Sequence, residues 1–156
     1  DREALRRQNP ALKIPMLIDE AQVLYDSRVI ARYLSAKQNC DPLTWDQQNQ
    51  LTLIDAANDS AVTLVLSKRS GLDIDSGALF YQLQHERIAT TLKALAEQVE
   101  EGHFRDWNYP AICLYCLVDW LDFRGLSDFT GVESLLAFRD SHKDKPWVAQ
   151  TDPRLA

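Results

Sequence analysis

The chain has 156 residues, a net charge of −6 at pH 7 and 46% hydrophobic residues, which is enough to bury a core and too apolar for a disordered segment. Lysine and arginine are scattered along an acidic chain, so nucleic acid and anionic membrane surfaces are excluded as expected partners. The longest apolar run, residues 111–118, is far short of a bilayer span and is closed by Asp119 and Asp122, which leaves a cytoplasmic binder of small molecules as the expected class.

Residues 1–8 are polar and helix-favouring and stop at Asn9-Pro10, because the residue before a proline is pushed out of the helical region. This start has neither an initiator Met nor an apolar signal core, so the sequence is expected to begin inside a longer gene product. Lys13 to Ile18 and Gln22 to Tyr25 are two short β-prone runs around Asp19-Glu20, the pattern of a hairpin. From Ser27 to Lys37 the spacing of Ile30, Tyr33, Leu34 and Lys37 predicts an amphipathic helix, with Asp26 or Ser27 as its cap. Asn39-Cys40-Asp41-Pro42 breaks the pattern, and residues 39–43 are the expected linker.

Beyond the linker the sequence predicts helices almost throughout. Thr44-Trp45-Asp46-Gln47 has the form of a capping box, opening a helix that carries Leu51, Ile54, Ala61, Leu64, Val65 and Lys68 and stops at Gly71. Asp75-Ser76 is the expected cap of a second long helix with an apolar stripe of Leu79, Leu83, Ile88, Leu92, Leu95 and Val99, ended by Gly102. Asn108 and Pro110 start a third helix that is apolar on nearly every face through Phe123, as suits the middle of a bundle. A fourth runs from about Val132 to about His142.

Cys40, Cys113 and Cys116 are an odd set without disulfide spacing, which fits a reducing compartment; Cys113 and Cys116, in an apolar helix, are expected to be buried core residues. His85, His103 and His142 share no ligand spacing, so no metal site is expected. Trp45, Trp107, Tyr109 and Trp147 suit either a core or an apolar pocket.

Three stretches carry a resemblance: Asn9-Pro10 with Lys13-Ile14-Pro15-Met16-Leu17, then Asp26-Ser27 opening a helix with Ile30 and Tyr33-Leu34, and more weakly Trp120-Leu121-Asp122-Phe123-Arg124 with the Ser141, Trp147, Pro153 ending. In these the chain resembles the glutathione transferases, and most of all their bacterial cytosolic members, from the end of the second helix onward. The fold so implied is α+β by segments and mostly α: residues 1–38 as the C-terminal half of a thioredoxin-like glutathione-binding domain (hairpin plus helix), and 44–156 as an all-α helical-bundle domain. The buried helix departs from the family pattern in keeping the Asn108 cap but having Ala111 where an Asp usually completes a capping box.

The resemblance implies a cis Ile14–Pro15 bond, with the Ile14 N–H and C=O pairing the cysteinyl part of glutathione as an added strand. Ser27 would take the γ-glutamyl carboxylate and Asp26 the γ-glutamyl ammonium. Read without the resemblance, Pro15 is an ordinary edge-strand proline and Asp26-Ser27 a plain helix cap. The thiol-activating Ser, Tyr or Cys of the family lies in its first β-α-β segment, upstream of Asp1, so no catalytic residue is expected within the chain. The activity implied is attack of the glutathione thiolate, glutathione being the co-substrate, on a small apolar electrophile, in a homodimer joined across the helix after Ser27 and the first long helix of the second domain. Two alternatives stand beside it: a non-catalytic binding or regulatory protein like the stringent starvation proteins, and a glutathione-dependent thiol reductase.

Overall fold

A computed structural model describes residues 2–155, whose chain divides into two compact units, residues 1–44 and 45–156. The first unit contains α1 (Arg2–Gln8), β1 (Met16–Asp19), β2 (Gln22–Tyr25) and α2 (Ser27–Lys37). The strands pair antiparallel with Met16 opposite Tyr25, Leu17 opposite Leu24, Ile18 opposite Val23 and Asp19 opposite Gln22. Only Glu20 and Ala21 lie between the strands, and Glu20 takes φ 54°, the left-handed start that lets a two-residue turn follow the twist of the strands. Strand β1 is shorter than the sequence suggests, since Lys13 is drawn instead into a loop held by Asn9. Within this unit, among the described residues, Asn9 alone is buried.

Opposite faces of the hairpin have different surroundings. Asp19 joins the hairpin to α2: Tyr33 Oη donates to its Oδ2 at 2.7 Å, and Lys37 Nζ pairs with the same oxygen. Ile18, Val23 and Tyr25 point the other way and are exposed. Helix α2 ends with Asn39 at φ 54°, the Cys40 N–H reaching back to Ser35 O and the Asn39 N–H to Ala36 O, so a left-handed residue satisfies the last carbonyls.

The second unit is a helical bundle of α3 (Trp45–Arg69), α4 (Leu79–Glu100), α5 (Tyr109–Phe123) and α6 (Glu133–His142), followed by two short 3₁₀ turns. The four pack in one core, with Ile54, Ala57, Ala61 and Leu64 from α3, Ile88, Leu92 and Leu95 from α4, Leu114, Val118 and Leu121 from α5, and Leu135 and Phe138 from α6. Phe104 and Phe129, from the connections, complete it. Gly71, at φ 78° with open space around it, ends α3 as the spacing predicts. The chain is thus α+β by segments and mostly helical.

Three expectations are corrected. Asp75-Ser76 does not cap α4: Gly77 at φ 75° delays the helix, Ala78 is the cap position, and it makes no side-chain cap bond. The stripe read from Leu79 and Leu83 is not core, because the first turn of α4 leaves Leu79, Phe80 and Leu83 exposed, and burial starts at Gln84 and Ile88. Helix α5 is not buried on all faces. Its inward stripe is Pro110, Ala111, Leu114, Leu117, Val118 and Leu121, while Ile112 is 39% exposed, Cys116 is exposed and Cys113 only partly buried. Uniform apolarity hid that stripe, since a helical period can be read only where polar residues mark the outer face.

Truncation separates the two faces of α5. Leu114→Ala is expected to lower unfolding free energy by about 2–5 kcal/mol, as for a fully buried leucine, whereas Ile112→Ala changes it by less than about 1 kcal/mol. Urea denaturation followed by far-UV circular dichroism measures both.

Candidate functional site

The register of the hairpin builds the site. Because Met16 stands opposite Tyr25, Ile14-Pro15 leads into and Asp26-Ser27 leads out of the same open end of the strand pair, although they are a hairpin apart in sequence. The Ile14–Pro15 peptide bond is cis. Ile14 is 82% exposed, and among the described residues its backbone N–H and C=O make no hydrogen bond. Such an unpaired segment at the end of a strand can accept an extended peptide.

Asp26 links β2 to α2 with φ 82° and ψ 130°, a backbone region that costs a non-glycine residue about 1–3 kcal/mol. Its side chain recovers part of this as the helix cap, Oδ1 accepting from the Arg28 N–H at 2.9 Å and the Val29 N–H at 3.3 Å. The Ile30 N–H is bonded to Asp26 O. Ser27 is the first residue of the helix, and its N–H has no partner among the described residues. One free N–H, a serine hydroxyl, the positive end of the helix dipole and a carboxylate with Oδ2 uncommitted therefore share one corner. That corner can hold a carboxylate and an ammonium at once, the two charges of an amino acid.

Asn9 sets the other wall. Fully buried, it accepts the Ala11 N–H on Oδ1 at 2.9 Å and donates from Nδ2 to the Lys13 carbonyl at 2.7 Å. The sequence alone marks it only as part of a helix stop. Neither the Asn9 clamp nor the Asp19–Tyr33–Lys37 cluster is visible in periodicity, though an Asn four residues before Lys13 in a loop is a signal for a side-chain-to-backbone bond.

The helical unit has a cavity of about 280 Å³ between α5 and the C-terminal turns, lined by Tyr115, Cys116, Asp119, Trp120, Val148 and Thr151 among others. Arg154 latches the tail there, forming a bidentate pair with Asp119 at 2.8 and 3.0 Å and lying over the Phe123 ring. Although Cys116 is open to solvent on one side, partial desolvation by the cavity walls first, and then the Asp119 charge, push its thiol up from its ordinary value, so this cysteine is poorly suited to nucleophilic work. Trp45 and Trp147 are exposed, while Trp107 packs on the core with its ring against Tyr115 and stacked on His142. No group of three or more potential ligand side chains that could hold a metal occurs among the described residues, and none of the helices searched is long and apolar enough to cross a membrane.

Residues 1–42 match the sequence profile of the glutathione S-transferase N-terminal domain. In fold, the chain is similar to a glutathione transferase family member from Pseudomonas fluorescens Pf-5 with bound glutathione, at a TM-score of 0.80 and 27% identity over 97% of this chain and 78% of that one. The chain carries the fold of the glutathione transferase family. A Pf-5 family member with bound S-(propanoic acid)-glutathione aligns with a TM-score of 0.77 and 26% identity, over 93% of this chain and 80% of that one. A glutathione S-transferase from Methylobacillus flagellatus KT with glutathione bound has a TM-score of 0.82 over 98% of this chain and 82% of its own, and at 21% identity it speaks to the transferase fold alone. Comparison with curated proteins gave no match. Within the transferase fold, the hairpin and α2 correspond to the thioredoxin-like part and α3–α6 to the helical domain.

The cluster that backs the site from the far end of the hairpin is pH-sensitive in a defined direction. Hydrogen bonds first from Lys37 and then from Tyr33 hold the Asp19 carboxyl below its usual range, and the same contacts raise Lys37 and Tyr33. The Asp19 contribution is therefore present above the ordinary aspartate value of about 3.9 and is lost as pH falls through its lower folded value. Titration of the Asp19 carboxyl carbon by NMR is expected to give a pKa below about 3.9, moving upward in Lys37→Met.

Proposed function

We propose that this protein is a cytoplasmic glutathione transferase whose residues Ile14, Pro15, Asp26 and Ser27 bind and orient glutathione for conjugation to a small apolar electrophile. The observation that supports the proposal is that a cis Ile14–Pro15 with an unpaired Ile14 backbone and the Asp26-Ser27 start of α2 flank the same end of the hairpin, on a fold whose relatives hold glutathione. The Ile14 N–H and C=O pair the cysteinyl residue as an added strand. The Ser27 N–H and hydroxyl, at the helix N-terminus, take the γ-glutamyl carboxylate, and Asp26 Oδ2 takes the ammonium while Oδ1 keeps its capping bonds. Each residue contributes position, which turns an encounter between thiol and electrophile into a reaction of oriented groups.

A thiolate attacks the electrophilic carbon, a C–S bond forms, and a leaving group departs or a polarised double bond takes up the electron pair and a proton. Residues 1–38 serve as the glutathione-binding part, 39–43 as a linker, and 44–156 as the helical domain. A homodimer is supported by exposed apolar residues on both helices that would join it, Val29 and Leu34 on α2 and Trp45 and Leu66 on α3.

Retention on immobilised glutathione tests the site. The wild-type protein is expected to be retained, Ser27→Ala to bind about 10-fold more weakly, equivalent to about 1.4 kcal/mol, and Asp26→Asn to keep its helix cap while losing a similar factor. Equal retention of all three proteins would remove Asp26 and Ser27 from the site. Retention without conjugation of a model electrophile such as a chlorodinitrobenzene would leave a binding protein in place of a transferase.

A further inference from the structure

We infer that Asn9 is a positioning residue for glutathione, acting through the Lys13 carbonyl on the Ile14 backbone; this rests on the glutathione reading above. Asn9 stands where α1 ends, its own N–H closing the last helical bond to Leu5 O at 2.8 Å and its C=O accepting from the Leu12 N–H at 3.0 Å. A plain helix stop needs no more than that. The side chain does more, in two directions: Oδ1 accepts the Ala11 N–H at 2.9 Å, making a local turn, and Nδ2 donates to Lys13 O at 2.7 Å.

The second bond matters for the ligand. Lys13 O belongs to the peptide unit whose nitrogen is the Ile14 N–H donor, and a peptide unit is planar. Fixing the carbonyl therefore fixes the direction of the Ile14 N–H on the opposite side of the same plane. Leu12, Lys13 and Ile14 are all exposed, and Leu12 adopts φ 54°, so packing of their side chains gives the loop little hold. In a unit where Asn9 alone is buried among the described residues, a polar side chain substitutes for the missing apolar core under this loop. Burying an amide without partners would be costly, so its retention here goes with satisfied bonds. A peptide ligand that pairs with Ile14 then meets a donor already aimed, and binding loses less ordering entropy.

Asn9→Asp separates the two side-chain roles. It keeps an oxygen for the Ala11 N–H and replaces the Lys13 donor by a group that repels the carbonyl. Glutathione affinity by isothermal titration calorimetry and melting temperature by circular dichroism are measured together on the full protein. The expected result is a dissociation constant raised at least about 10-fold in protein that remains folded; a folded variant with unchanged affinity overturns the positioning role. A purely structural Asn9 would lower the melting temperature and leave the affinity of the folded protein unaltered.

Wild-type protein supplies a second measurement should the variant fail to fold. In ¹⁵N NMR, saturation with glutathione is expected to shift the Asn9 side-chain amide together with the Ile14 amide. An Ile14 shift with an unmoved Asn9 amide overturns the inference. Wild-type protein that does not bind glutathione removes the parent reading and the positioning role with it, whereas wild-type binding that Asn9→Asp leaves intact removes the positioning role alone.

Discussion

The register of one short hairpin determines which residues stand beside one another in the first unit. Two residues between the strands and a left-handed Glu20 leave a single pairing, Asp19 with Gln22 through Met16 with Tyr25. A slip by one residue would turn every side chain to the other face. Asp19 would then leave Tyr33 and Lys37, and α2 would lose its tie to the sheet. At the other end, Ile14-Pro15 and Asp26-Ser27 would no longer flank one residue pair. The site and the attachment of α2 thus depend on the same constraint, from opposite ends of four residue pairs.

That unit is held in an unusual way for its size. Its described residues include no buried apolar side chain, and the contacts that organise it are polar: Asn9 on Lys13 and Ala11, Asp26 on the first turn of α2, Asp19 between Tyr33 and Lys37. Polar contacts are directional where hydrophobic burial is not. They suit a surface that must present an unpaired backbone segment and a free helix N-terminus in fixed directions. The helical unit relies chiefly on an apolar core drawn from all four helices, with polar links added to it, such as Arg87 on the buried Ser60 and Gln84 and the Arg154–Asp119 latch on the tail.

Much of this was legible from the order of residues. The bounds of α2, the Asn108 cap of α5 and the Gly71 stop of α3 come from local rules, capping and left-handed termination, that act within a few residues. Where a reading failed, the deciding contacts were distant ones. Leu79 and Leu83 have the spacing of a core stripe, but the first turn of α4 has no neighbour within its unit to cover them. Cys116 has apolar neighbours in sequence and still lies open on α5, since what a helix buries depends on which partners flank it. The fully buried state of Asn9 could not be read at all, because a polar residue before proline looks the same whether it faces water or a carbonyl.

By itself the sequence determined the kinds of elements, their order, the caps of α2 and α5 and the residue types of the proposed glutathione site, all of which rest on short-range backbone and side-chain preferences. Tertiary structure alone decided that Pro15 and Asp26 flank the same end of the strand pair, that Asp26 Oδ1 is committed to the helix while the Ser27 N–H has no partner among the described residues, and that Asn9 holds the loop between α1 and β1. These are matters of direction and distance between residues brought together only when the hairpin closes.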